Sequence, residues 1–245
     1  MFPLRDNIPT ERIPWVTIAL IVANAIVYFF LQDGRLGLPH SGLGGNWPTP
    51  TYAAIPCEIT GDSPCHTMPG GPSAWVTLFT SMFMHGSILH IGGNMLFLWI
   101  FGNNVEDSMG PIRFIVFYLL GGLAADAAQI LSGPGSEVPS LGASGAVAGV
   151  LGGYLVLFPR ARVVTVVFII FFFTILELPA IFFLGIWIIQ QALFAYFDLV
   201  QPSSTSGGGV AYFAHLGGFV FGLLLIRVFA IERRRRRQLE RAGLA

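Results

Sequence analysis

The chain has 245 residues, of which 54% are hydrophobic and only 11% are charged. Its mean hydropathy is +0.70, and several apolar runs are long enough to cross the roughly 30 Å hydrocarbon layer of a bilayer. This composition excludes a water-soluble globular domain. The formal net charge is zero, so no overall field attracts nucleic acid and we expect no nucleic-acid partner.

Six apolar segments are predicted to span the membrane as helices, and a seventh run is ambiguous. The six segments are residues 13–32, 88–104, 111–131, 144–158, 179–199 and 211–231. The seventh run, residues 163–176, is about 14 residues long, which is short of the roughly 20 that a span needs. We therefore expect it to be re-entrant or interfacial, although a seven-span topology remains the alternative.

The distribution of arginine favours six spans. The chain contains no lysine, and in a six-span arrangement every arginine except Arg35 lies on one side of the membrane. The positive-inside rule then places both termini in the cytoplasm. We expect a cytoplasmic segment at 1–12, a membrane domain at 13–231 and a basic cytoplasmic tail at 232–245. A seventh span would put the run Arg233 to Arg237 across the membrane from Arg160 and Arg162.

The first external connection, residues 33–87, is unusually long, so we expect it to fold as part of the protein. It contains Cys57 and Cys65, which form either a small disulfide loop or two unpaired thiols. Residues 75–84 are predicted to form a short amphipathic helix along the interface. A later external loop, residues 201–209, contains Pro202 and three glycines and is a candidate cap.

Three polar residues are predicted to lie at one depth, with a fourth one turn deeper. A helical rise of 1.5 Å per residue puts Ser144 roughly 24 Å above Arg160, and His215 roughly 27 Å above Arg233. His90 lies roughly 24 Å above Glu106 on the second span, and Asn94 follows one turn deeper. Polar side chains are costly in lipid, so their convergence indicates a buried functional site.

Glycines offer a way to bring two of these helices into contact. Gly145, Gly149 and Gly153 recur every four residues after the serine, and Gly218 and Gly222 do so after the histidine. Such stripes allow close backbone approach, although most of them only pack helices. Packing these two faces together would place Ser144 beside His215.

This set of residues fits nucleophilic catalysis by a Ser-His dyad. Ser144 at a helix start is a candidate nucleophile beside free backbone N–H groups, and His215 is a candidate general base. His90 and Asn94 share one helix face and could donate hydrogen bonds to an oxyanion. Taken singly, the serine is more often an N-cap and the histidines interhelical hydrogen-bonding groups. A metal site is disfavoured because the spacing of His85 and His90 suits one helix face poorly.

Three motifs resemble the signature blocks of rhomboid intramembrane serine proteases. They are HGSILHIGGN at 85–94, GASG at 142–145 and AHLGG at 214–218, in the order of the family. The resemblance implies an all-α polytopic membrane protein with a six-transmembrane-helix rhomboid-like bundle and a long external first loop. It also implies cleavage of peptide bonds in or near the transmembrane segments of other membrane proteins, with no cofactor and no metal.

By the same resemblance, Ser144 matches the nucleophile and His215 its base. His90, Asn94 and the backbone N–H of Ser144 match the oxyanion donors. Structural roles near the site are implied for His85, Gly142, Gly145 and Gly218. Glu106 matches the acidic position of the family at the cytoplasmic end.

Some members carry an aromatic residue one turn after the serine, which stacks on the histidine, but here that position is Ala148. Something else must then hold the ring of His215.

Two other classes of function remain open. A catalytically silent rhomboid-like adaptor would share the helices but lack the serine or the histidine. A small transporter would carry a polar stripe through the whole membrane depth, for which Asp126, Gln129, Gln190 and Gln191 are candidates. We expect a protease of the cell (inner) membrane whose partners are the lipid bilayer and transmembrane substrates.

Overall fold

The computed structural model describes residues 2–32, 49–62, 65, 71–169, 172–200 and 210–244. Its first half contains strand β1 (Phe2–Asp6) and six helices: α1 (Trp15–Ile26), α2 (Thr49–Tyr52), α3 (Pro56–Thr60), α4 (Ala74–Thr80), α5 (Ile88–Phe97) and α6 (Asn103–Met109). The second half contains α7 (Pro111–Ser132), α8 (Ser144–Leu157), β2 (Arg162–Ile169), β3 (Phe172–Pro179), α9 (Ala180–Val200), α10 (Tyr212–Phe229) and α11 (Glu232–Arg241). The candidate cap at 201–209 lies outside the described residues.

Each of the six predicted spans is helical, so the predicted helical bundle is confirmed. The first span is α1 followed by a π-helical turn, Val27–Leu31, and the second runs through α5, another π-helical turn, Leu98–Gly102, and α6. Helices α7, α9 and α10 are each long and apolar enough to cross a membrane on their own. Predicted helix 75–84 is also present, as α4 and a 3-10 turn.

Helix α8 forms the centre of the bundle. Every residue from Gly145 to Tyr154 is buried. Around it lies an aromatic core that includes Phe101, Phe117 and Tyr118, all fully buried. By contrast, α9 exposes most of its large apolar side chains, including Phe182 and Ile189. The inside of this bundle is therefore a packed core, and its outside suits lipid.

The described residues of the ambiguous run at 163–176 form the two arms of a β-hairpin, a form that the sequence did not predict. Strands β2 and β3 pair antiparallel, with Arg162 opposite Pro179, and β1 adds to the other edge of β2, with Phe2 opposite Val166. Valine, isoleucine and phenylalanine favour strands, which explains the hairpin. The prediction that this run does not span the membrane as a helix is confirmed.

The basic tail folds as α11 and packs against the ends of other helices. Arg235 Nε donates to the carbonyl of Leu157 at the end of α8 (3.1 Å), and Gln238 Nε2 donates to the carbonyl of Asn104 (3.3 Å). Arg113 likewise donates to the carbonyl of Phe229 at the end of α10 (3.2 Å). These guanidinium groups satisfy carbonyls at helix C-termini and oppose their negative dipole ends. We call this part of the molecule the arginine end.

Glu106 acts as the cap that α1 lacks in its own sequence. Residue Pro14 precedes α1, and no side chain of that segment caps the helix. The carboxylate of Glu106 instead accepts hydrogen bonds from the backbone N–H groups of Val16 (3.0 Å) and Thr17 (2.8 Å) and from the hydroxyl of Thr17 (2.8 Å). This contact joins the first two spans at the arginine end.

Replacement of Glu106 by Gln should lower stability by about 1.5–3 kcal/mol, because an amide NH2 would then face backbone donors at a buried helix start. Thermal unfolding of the purified protein in detergent measures the change. The matched control is Glu232→Gln, whose side chain is 76% exposed and whose surface ion pair is worth roughly 0–1 kcal/mol. Equal melting temperatures for the two variants would contradict this role.

Candidate active site

The connection between the first two spans positions the loop that leads to Ser144. Cys57 and Cys65 form a disulfide in the structure, which settles the alternative left open by the sequence. Ala54 and Ser140 exchange two backbone hydrogen bonds (2.9 and 2.8 Å). Gly142 N then donates to the carbonyl of Ser81 (2.9 Å). The approach to α8 is thus fixed by backbone bonds to this connection.

Ser144 is the first residue of α8, as predicted. The preceding residue, Ala143, makes no side-chain cap, and the first backbone bond of the helix runs from Val147 N to the carbonyl of Ala143. The first N–H groups of a helix have no partner within it, so this end can donate to an anion. The hydroxyl and these amides occupy the same end of the helix.

The predicted glycine contact between α8 and α10 is confirmed. A Cβ atom built on Gly218 would clash with the carbonyl oxygen of Gly145, and one built on Gly222 would clash with that of Gly149. A Cβ atom on Gly145 would lie 3.8 Å from Ala214, the residue before His215. Close backbone packing therefore brings the start of α8 beside the start of α10.

His215 is buried on α10, and its ring is held by residues of α9. Nδ1 lies 2.7 Å from Oε1 of Gln191, and the indole of Trp187 lies 5.8 Å from the imidazole between ring centroids. Among the described residues no hydrogen bond joins Ser144 to His215. Hydrogen bonds of this kind often form only in the substrate complex. The sequence did not identify either of these α9 residues as a partner of the imidazole.

His90 and Asn94 lie on the same face of α5, as their spacing predicted. His90 Nε2 lies 2.8 Å from the point where a Cβ atom of Gly142 would be, and Ser144 Oγ lies 3.5 Å from that point. Asn94 is buried, and its Nδ2 has no hydrogen-bond partner among the described residues. Gly142 has φ +131°, which strongly favours glycine. The side chains of His90 and Ser144 therefore both lie beside this glycine.

His85 lies beside this group without joining it by hydrogen bonds. Its ring is edge-on to that of His90, with centroids 5.1 Å apart, and among the described residues neither buried ring nitrogen has a partner within hydrogen-bond distance. Burial, and secondarily the neighbouring His90, lower the pKa of His85 to about 3, so its ring is neutral near pH 7. The described residues include no group of three or more His, Cys, Asp or Glu side chains suited to a metal ion.

Three of the polar residues that suggested a transporter belong to this site instead. Asp126 lines a cavity of about 10 Å³ that Ser144 also lines, which is close to the space of one water molecule. Gln129 Oε1 accepts from the backbone N–H of Ala214 (3.2 Å), and Gln191 contacts His215. The fourth residue, Gln190, is exposed on the outer face of α9.

Comparison with known proteins identifies the family of this chain. The family model for the rhomboid domain matches residues 72–232, which contain all three motifs. The chain belongs to the rhomboid family. As a rhomboid it is a membrane-embedded, multi-pass helical protein.

Several curated rhomboid proteins are similar to this chain. Rhomboid protein 1, mitochondrial, of Saccharomyces cerevisiae is 32% identical over 174 residues, covering 69% of this chain and 46% of the yeast protein. Rhomboid-like protein 11, chloroplastic, of Arabidopsis thaliana is 32% identical over 158 residues, covering 62% and 52%. Rhomboid protease GluP of Bacillus subtilis is 40% identical over 81 residues, covering 33% and 15%. The chain thus spans about half or less of the length of these relatives.

Replacement of Gly142 by Ala should slow the reaction of Ser144 with a fluorophosphonate probe about 100-fold, because displacing a reacting group by about 1 Å has an effect of that size. The new methyl group would strain the backbone at φ +131° and press on His90. Gly135→Ala is the control, since a Cβ atom there meets nothing within 4 Å. Wild-type labelling rates in Gly142→Ala would show that the loop geometry does not govern Ser144.

Proposed function

We propose that this rhomboid is an intramembrane serine endopeptidase that hydrolyses peptide bonds in or near transmembrane segments of other membrane proteins. The observation that carries the proposal is the grouping of Ser144, at the uncapped start of α8, with a buried histidine on the helix packed against it. A hydroxyl next to free helix amides and a histidine is the arrangement that acyl transfer requires.

The proposed chemistry proceeds through an acyl-enzyme. Ser144 Oγ attacks the carbonyl carbon of the substrate while Nε2 of His215 takes the hydroxyl proton. Collapse of the tetrahedral intermediate breaks the C–N bond, and His215 returns the proton to the leaving amine. A water molecule then attacks the ester, again with His215 as base, to release the new carboxylate and restore Ser144.

The oxyanion would be held by neutral donors from two helices. The backbone N–H of Ser144, the side chain of His90 and the free Nδ2 of Asn94 are the candidates. In a site shielded from bulk water, such fixed dipoles stabilise developing charge more strongly than water-exposed groups. No metal or organic cofactor is needed for these steps.

Membrane orientation and substrate entry follow as parts of the same proposal. The arginine end faces the cytoplasm of a cell (inner) membrane by the positive-inside rule, so Ser144 lies toward the external side. The substrate helix approaches from lipid along α9, whose outer face exposes Ile186, Ile189 and Leu193. It must unwind locally, because a helical peptide bond has its carbonyl engaged. Helix-breaking or small residues are expected at the cut site.

Purified wild-type protein should cleave a single-span reporter in detergent and in liposomes, whereas Ser144→Ala and His215→Ala should not. Each variant removes a group that the bond-breaking steps require. A fluorophosphonate probe should label the wild type but not Ser144→Ala. Equal cleavage by all three proteins would reject the dyad, and absent cleavage together with absent labelling of folded wild type would favour a silent adaptor.

Replacement of Asn94 by Leu should lower kcat about 100-fold and leave KM unchanged, because loss of one oxyanion donor has an effect of that order. Asn24→Leu is a matched control: Asn24 is also a buried asparagine, but its amide donates to the carbonyl of Leu20 within α1. It should alter stability without a specific loss of kcat. An equal kcat in wild type and Asn94→Leu would remove Asn94 from the oxyanion site.

A further inference from the structure

His215 needs a partner that fixes its ring, and the helix that carries the serine provides none. Ala148, one turn after Ser144, has only a methyl group. On the other side of α10, α9 presents two side chains one turn apart, Trp187 and Gln191. Both contact His215, and residues four apart on a helix share one face.

The contact with Gln191 determines which ring nitrogen carries hydrogen. Gln191 Oε1 lies 2.7 Å from Nδ1, and the two side chains are each only 8% exposed. In this orientation of the amide, Oε1 accepts the hydrogen bond, which requires that Nδ1 carry the hydrogen. Nε2 is then the unprotonated nitrogen and has the lone pair that a general base uses.

Trp187 contacts the same ring, with the two ring planes tilted by 38°. Its indole lies 5.8 Å from the imidazole of His215 and 6.1 Å from the ring of Phe219, one turn further along α10. The imidazole is therefore held by an aromatic contact and by one hydrogen bond at its edge. Both restraints come from α9, and neither depends on the residue at 148.

We propose that Gln191 is a positioning residue for His215, which selects the Nδ1–H tautomer and leaves Nε2 as the base. This inference rests on the proposed protease function. A carboxylate in the same place would also accept from Nδ1, but an ionised group within a span is costly. A neutral amide fixes the tautomer without that cost, so the site operates with a dyad and an uncharged third residue.

Other titratable groups near His215 come from the elements packed around it. They are His90 on α5, Ser144 on α8 and Asp126 on α7, while Tyr196 and Asp198 lie more than a turn beyond Gln191 on α9. None of them changes in a Gln191 variant. A shift of the pH–rate profile in such a variant therefore reports on the contact with Gln191.

The test compares Gln191→Leu, Gln191→Glu and Gln190→Leu in the full-length protein, with the cleavage of a single-span reporter followed from pH 5 to pH 9. Gln191→Leu should lose about 10- to 100-fold in kcat with little change in KM, by analogy with the loss when a partner that orients a metal-ligating histidine is removed. Gln191→Glu should keep most of the activity and move the acidic limb of the pH–rate profile to higher pH, because a carboxylate stabilises the imidazolium.

The control variant is Gln190→Leu, which changes the adjacent, exposed glutamine and should behave as wild type.

A purely structural glutamine would give a different pattern. Gln191→Leu and Gln191→Glu would then lose activity together with melting temperature, and the pH profile would not move. That result, or a kcat of Gln191→Leu within twofold of wild type, overturns the proposal.

A readout without catalysis separates this inference from the protease proposal. Nitrogen-15 NMR of the histidine rings, with His215 identified by comparison with His215→Ala, should show the Nδ1–H tautomer in wild type and its loss in Gln191→Leu. The opposite tautomer in wild type overturns the role of Gln191 even if cleavage occurs. Conversely, the expected tautomer with no Ser144-dependent cleavage rejects the protease and leaves the contact intact.

Discussion

The backbone contact between α8 and α10 is the constraint on which the site depends. Carbonyl oxygens of Gly145 and Gly149 occupy the space that side chains at Gly218 and Gly222 would need. Lipid gives helices no hydrophobic reason to associate, so close packing of small residues must supply much of the attraction. Because the contact begins one residue after Ser144 and three residues after His215, the interaction that holds the bundle also sets the distance between these two groups.

The two ends of the bundle are stabilised by different chemistry. At the arginine end, guanidinium groups and Glu106 satisfy helix termini, and α11 covers the ends of α6 and α8. At the other end, α8 begins without a side-chain cap on its preceding residue, Ala143, and Asn94 Nδ2 has no partner among the described residues. Buried side-chain atoms without a partner also occur at the arginine end, for example Asn104 Oδ1 and Arg234 Nη1, so a missing partner does not by itself mark a ligand site. The free amide of Asn94 is distinguished by its position one helical turn after His90 on α5.

Much of this arrangement could be predicted because helices have a fixed rise and glycine stripes have a fixed period. Those two rules predicted Ser144, His215 and His90 at one level, with Asn94 one turn deeper, and paired α8 with α10. The hairpin could not be predicted in the same way: β2 and β3 are apolar and short, and their pairing with β1 joins residues about 160 positions apart in the chain. Nor could the partner of His215 be found, because Gln190 and Gln191 are adjacent and only the rotation of α9 decides which one faces inward.

The charge state of the site follows from the same low-dielectric surroundings. A water-soluble serine protease can orient its histidine with a carboxylate, because surrounding polar groups and solvent stabilise the buried charge. Here His215 lies between membrane helices, and its Nδ1 contacts an amide. An uncharged acceptor does not stabilise the imidazolium by its charge, but it still fixes the tautomer of the neutral ring. In the proposed mechanism the dyad is therefore oriented without a third charge, and the proposed oxyanion donors would have to supply the stabilisation of the transition state.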